Sequence, residues 1–144
     1  MLGRYYPGQT CSAASALELI GERWSLLIFR DALFRGYTRF SDFERSLGIA
    51  PNILTKRLES FVADGLMTLD TPSGEAREYH LTAKGRGLKS VIIALNDWGE
   101  RWLGSGPIDY IHRGCGGVIK QTVACEGCGT EVALDDIGVR VRTA

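Results

Sequence analysis

At 144 residues the chain has room for one full core and a short appendage, not for two ordinary domains. Its composition, 44% hydrophobic and 24% charged, is globular, and no run nears the ~20 apolar residues of a membrane span. A formal net charge of zero argues against coating nucleic acid by bulk charge, but is compatible with one basic face.

Met1 to Thr10 contain one arginine and no apolar run of the kind a secretory leader needs, so a cytoplasmic address is expected. Ala13, Ala16, Leu17 and Ile20 recur at helical spacing and predict a short helix ended by Gly21. Trp24 to Phe34 reads as a helix apolar on most of its circumference, hence central, with Gly36 terminating it. Ser41 to Glu44, Ser-Asp-Phe-Glu, has the form of a capping box opening a helix through Leu47, after which Gly48 suits a left-handed C-cap. Pro51 fits the first turn of the next helix, about 51–64, in which Leu54, Leu58, Phe61 and Val62 form the apolar side and Gly65 the stop. Leu66 to Asp70 and Ala76 to Leu81 read as two strands around the turn Thr71-Pro72-Ser73-Gly74. Thr82 is expected to cap one long last helix carrying the stripe Leu88, Val91, Ile92, Leu95, Trp98, Trp102 and Leu103. Gly104 to Pro107 is a linker, and beyond it Val118 to Val123 reads as a strand within a glycine- and cysteine-rich tail.

The fold class expected is α+β, mainly α: a winged helix-turn-helix domain over 8–104 with a long dimerisation helix, then a zinc-ribbon-like module over 108–144. Two short helices joined by Gly48-Ile49-Ala50 have the spacing of a helix-turn-helix. The second would enter a major groove about 12 Å wide, and the hairpin at about 70–78 would lie as a wing on the sugar-phosphate backbone. Between Arg30 and Ser60 stand six basic residues against four acidic ones, a small excess. The candidate DNA contacts are Arg39, Ser41, Pro51, Asn52, Thr55, Lys56, Arg57, Ser73 and Arg77. A solvated polar helix face gives the same pattern, so these residues alone leave the partner open.

Four stretches together resemble the HxlR-type helix-turn-helix regulators, relatives of the MarR-type winged-helix proteins. They are Cys11 to Gly21 followed by Arg23-Trp24, Arg39 to Phe43, Pro51 to Leu58, and Glu78 to Gly85. The resemblance implies a transcription regulator that binds double-stranded DNA at an inverted repeat. It also implies a homodimer through the first and last helices, which agrees with the long aromatic stripe. Ala50 departs from it, since a serine or threonine commonly caps the recognition helix there; losing such a cap costs about 1 kcal/mol.

Cys11 precedes the first helix, where the positive end of the dipole favours thiolate. The resemblance implies redox or electrophile sensing at this position, and a small-molecule or electrophile effector with it; a buried, inert cysteine is the alternative. In the tail, His112-Arg-Gly-Cys115-Gly and Cys125-Glu-Gly-Cys128-Gly repeat one pattern, and nine residues separate Cys115 from Cys125. Paired nitrogen and sulfur donors on tight glycine turns suit a structural Zn2+ held by His112, Cys115, Cys125 and Cys128. A metal-free tail or a Cys125–Cys128 redox pair remains open. No nucleophile–base constellation or phosphate loop points to an enzyme. The competing class is a winged-helix protein-interaction module whose ribbon binds a partner.

Overall fold

The computed structural model describes residues 5–143. Helix α1, Ser12–Ile20, starts at Cys11, whose sulfur accepts the Ala14 amide at 3.4 Å in place of the usual hydroxyl or carboxylate cap. The chain then reverses at Trp24, which adopts φ 78°. That conformation costs a non-glycine residue about 1–2 kcal/mol. The Arg23 guanidinium, 5.1 Å from the Trp24 ring centroid, offsets part of it. Helix α2, Ser25–Phe34, follows, with Ile28 and Phe29 fully enclosed as a central helix requires, while Leu27 stays exposed and Leu26, Leu33 and Phe34 are half-buried.

Helix α3, Phe40–Leu47, starts earlier than the capping-box reading requires. Arg39 is the N-cap, Ser41 lies inside the first turn, and no side chain caps the helix. The cause is tertiary. The Tyr79 amide donates to the Thr38 carbonyl at 2.7 Å, and Arg39 forms a β-bridge with Glu78, so pairing fixes this segment as extended up to Arg39. Gly48 ends α3 at φ 61°, and helix α4, Pro51–Ala63, begins three residues later with proline in its first turn.

Strands β1, Met67–Asp70, and β2, Glu78–Leu81, pair antiparallel in the register Met67 with Leu81, Thr68 with His80, Leu69 with Tyr79 and Asp70 with Glu78. The one long helix expected from Thr82 is two. Thr82 caps only α5, Ala83–Arg86, and α6 runs Lys89–Leu103. Three bonds pin the short piece: the Thr82 hydroxyl donates to the Gly65 carbonyl at 2.6 Å, Lys84 to that of Asp64 at 2.7 Å and Arg86 to that of Leu81 at 2.7 Å. Gly85 and Gly87, poor helix formers, sit at the break.

The core gathers Phe29, Phe43, Phe61, Leu54, Leu58 and Met67, each fully buried, with the Phe29 and Phe61 rings tilted by 50° at 4.5 Å between centroids. Burying side chains of this size stabilises by about 1.5–3 kcal/mol each. Asp31 is also fully buried. Its carboxylate accepts from Ser46 at 2.5 Å and pairs with Arg30 at 2.8 Å and Arg35 at 3.7 Å, fastening α2 to α3.

The chain divides into two compact units, one through Ile92 and one from Ile93, inside α6 and not at the Gly104–Pro107 linker. In the second unit the Gln121 amide donates to the Asp97 carboxylate at 2.6 Å, joining the tail to α6. The strand expected over Val118 to Val123 does not form; isolated bridges, Ile111 with Val118 and Ala124 with Glu131, close two separate turns instead. A 3-10 turn, Leu134–Asp136, follows. Among the described residues no helix is long and apolar enough to cross a membrane.

Candidate nucleic-acid interface

Helix α4 divides by side. Leu54, Leu58 and Phe61 hold it to the core, while Pro51, Asn52, Thr55, Lys56 and Glu59 are exposed. The turn before it is rigid for a local reason. Ile49 is buried, and the amides of Ile53 and Leu54 both donate to the Ala50 carbonyl at 3.0 Å. Ala50 itself offers no side-chain cap. The Thr55 hydroxyl donates to the Pro51 carbonyl at 2.9 Å, which leaves its oxygen free to accept. Ser41 is exposed in the first turn of α3, and Ser73 and Arg77 are exposed beside β1 and β2. Gly74, at φ 76°, makes the left-handed bend between those strands.

Two of the expected cations are held by the protein. Arg57 pairs with Glu22, and its Nε donates to the Arg23 carbonyl at 3.4 Å, so it braces the Trp24 reversal. Arg39 lies 3.5 Å from Glu78 and 3.9 Å from Glu75. Neither carboxylate of the hairpin was singled out in the sequence. Glu78 alternates as in any solvated strand and Glu75 lies in the turn before it, and the Arg39–Glu78 bridge brings this segment to α3. Arg39, Lys56 and Arg57 therefore do not form one free basic cluster. Lys56 is the member of the three without an ion pair among the described residues.

Cys11 is exposed and carries no disulfide, with the Ala14 amide donating to its sulfur. In the second unit the repeated glycine pattern folds into two matching knuckles. The His112 amide donates to the Gly117 carbonyl at 2.8 Å and the Gly116 amide to the His112 carbonyl at 2.7 Å. Thirteen positions on, the Cys125 amide donates to the Thr130 carbonyl at 2.9 Å and the Gly129 amide to the Cys125 carbonyl at 2.7 Å. Gly116 and Gly129 take φ 74° and 72°, which is what the second glycine of each pattern is for. His112 Nδ1 and Cys115 Sγ are 3.4 Å apart. Zinc bonds of about 2.0–2.1 and 2.3 Å at a tetrahedral angle separate nitrogen and sulfur by about 3.6 Å, close to the spacing in the first knuckle. In the second, hydrogen bonds from the Thr130 hydroxyl, the Thr130 amide and Cys125 hold the Cys128 thiol below its ordinary value. The two pairs do not converge: among the described residues no three His, Cys, Asp or Glu side chains gather as a metal-holding group.

Residues 19–106 match the HxlR-like helix-turn-helix family. The chain belongs to that family. An uncharacterised HTH-type transcriptional regulator of Mycobacterium tuberculosis is 39% identical over 131 residues, which are 88% of this chain and 82% of that protein. Among solved structures, PA1607, described as a candidate transcription factor, is similar at TM-score 0.83 and 37% identity, over 92% of this chain and 96% of its own. The redox regulator HypR in its reduced form is similar at TM-score 0.56 and 28% identity, over 65% of this chain and 96% of HypR. The HxlR-like chain is thus a DNA-binding transcription regulator with a winged helix-turn-helix, as its helices and hairpin indicate.

Proposed function

We propose that this HxlR-like regulator binds an inverted-repeat operator as a homodimer, with α4 in the major groove and the hairpin on the backbone. The observation that carries this reading is the face of α4 on which Asn52, Thr55 and Lys56 are exposed, with Ser73 and Arg77 exposed on the hairpin. Asn52 suits an adenine edge and Lys56 a guanine or phosphate. Arg39 would reach DNA by leaving Glu75 and Glu78, while Arg57 acts by holding the turn before α2. The dimer is supported by α6, which leaves Leu95, Trp98, Trp102 and Leu103 51–77% exposed. A contiguous apolar surface of that kind marks an interaction site. Leu17 of α1 is exposed too. The reading involves no catalysis by the chain itself.

Two further parts belong to the same reading. Cys11, exposed at the α1 N-terminus, is the thiol through which an oxidant or electrophile would act, as the likeness to HypR supports. His112, Cys115, Cys125 and Cys128 would hold one structural zinc, drawing the two knuckles together and leaving no open position for a substrate. Titrating the protein against duplexes from its gene's own upstream region tests the whole. The reading expects saturation at two chains per duplex and half-sites about one helical turn, ~34 Å, apart. One chain per duplex, or equal affinity for any sequence, contradicts it.

A further inference from the structure

The two knuckles of the tail are alike in backbone and unlike in chemistry. His112 stands in the first where the second has Cys125, so only the second can close a disulfide within itself. Its geometry suits one. Cys125 and Cys128 flank Glu126-Gly127 on a single turn, closed by the Gly129 amide on the Cys125 carbonyl at 2.7 Å. A turn holds Cα atoms three residues apart within about 7 Å, and a disulfide takes about 4.4–6.8 Å. The two thiols already hydrogen-bond to each other. Among the described residues no third His, Cys, Asp or Glu gathers with them as a metal-holding group. Cys128 is exposed and Cys125 half-buried, so an oxidant from solvent meets Cys128 first. The Thr130 hydroxyl lies 3.0 Å from the Cys128 sulfur, where it also orients that side chain.

Both cysteines lie beyond residues 19–106, which match the family, and Cys11 belongs to the other compact unit. We propose that Cys125 and Cys128 form a second, reversible thiol switch, oxidised by low-molecular-weight disulfides such as glutathione disulfide. The Cys128 thiolate attacks one sulfur of the small disulfide, whose S–S bond breaks, and one small thiol leaves with the Cys128 proton. The Cys125 thiolate then attacks the Cys128 sulfur of this mixed disulfide, and the second small thiol leaves with the Cys125 proton. Two protein thiols are oxidised while one small disulfide is reduced to two thiols. Where His112, Cys115, Cys125 and Cys128 hold zinc, the new bond takes away two of its four ligands and releases the ion. That release rests on the zinc reading; the disulfide does not.

Full-length protein carrying Cys11→Ser is equilibrated in glutathione buffers of rising oxidised fraction, quenched with iodoacetamide and mapped by mass spectrometry. The same protein with Cys115→Ser, Cys125→Ser or Cys128→Ser added is treated alongside. Cys125 and Cys128 should lose alkylation together, whether or not Cys115 is present, and dithiothreitol should restore both. Cys125→Ser should stop at a mixed disulfide of glutathione on Cys128, and Cys128→Ser should form no internal bond. Both thiols alkylated at every ratio, or either one paired with Cys115 or with another chain, overturns the switch. Zinc is followed through the same series with a pyridylazoresorcinol indicator. One zinc released per disulfide formed is the coupled result. A disulfide formed by protein that held no zinc contradicts the zinc reading and leaves the switch standing. Zinc-loaded protein that keeps both thiols throughout, while metal-free protein loses them, overturns the release.

Discussion

Arg57 shows how one side chain can carry a different duty from the one its neighbours suggest. It lies between Lys56 and Leu58 on a recognition helix, yet its guanidinium turns back to Glu22 and the Arg23 carbonyl, where Trp24 is held at positive φ. Its side chain is 20% exposed and that of Glu22 41%, so the pair contributes about 1 kcal/mol at most. Arg57→Ala should lower the urea midpoint by an amount of that order with the slope unchanged; a midpoint equal to wild type would show that the brace is idle. Asp31 is the stronger case. Removing a fully buried carboxylate that satisfies Ser46 and two arginines leaves a cavity and an orphaned hydroxyl. Because the arginines can rehydrate, Asp31→Ala should cost about 1–3 kcal/mol and not the full cost of a broken buried ion pair. Chemical denaturation measures this, and a loss below a few tenths would mean that α2 and α3 are held by packing alone.

At the scale of elements, Gly85 has a testable reason to be glycine. A Cβ there would collide with the Leu66 carbonyl and meet Leu81 at 3.1 Å, and backbone cannot step aside as a side-chain tip can. Gly85→Ala should therefore destabilise by about 1–3 kcal/mol, the cost of overpacking; a neutral thermal melt would refute the close approach. The same contact explains a limit of the sequence. Helical periodicity through Leu88 and Val91 reads as continuous with the Thr82 cap, because tertiary bonds from Thr82, Lys84 and Arg86 leave no trace in spacing. The start of α3 was hidden likewise, since Ser-Asp-Phe-Glu is a sound local signal that the β-bridge of Arg39 with Glu78 overrides. Where the signal is backbone chemistry it carries through: Gly48 takes the left-handed C-cap and Pro51 the first turn. The contact candidates on α4 were legible from periodicity, but the pairing of Arg39 and Arg57 was not, because each partner lies on another element.

For the whole molecule, two parts of the proposal stand on surfaces with little core beneath them. Among the described residues beyond α6 only Tyr110, Cys125 and Val132 are even half-buried, too little packing to fold the tail by itself. If zinc supplies that energy, protein purified without added metal should carry one zinc per chain. Chelation should then open the tail to protease while the winged helix keeps its helical signal. A ratio near zero with a protected tail would remove the metal from the account. The α6 stripe makes a separate demand. Sedimentation at micromolar concentration should give two chains, and Trp98→Ser with Trp102→Ser should shift the protein toward one; an unshifted dimer would place the interface elsewhere.

The central claim is that the free face of α4 reads DNA, and salt dependence tests it most directly. A lysine on a phosphate releases about one counterion, so its removal should weaken binding and flatten the slope of log affinity against log salt by about one. Fluorescence anisotropy with upstream duplex, across a salt series, compares wild type with Lys56→Ala and Arg57→Ala. The account predicts a flattened slope for Lys56→Ala and an unchanged one for Arg57→Ala. An unchanged slope for Lys56→Ala, or the loss appearing with Arg57→Ala instead, would contradict it.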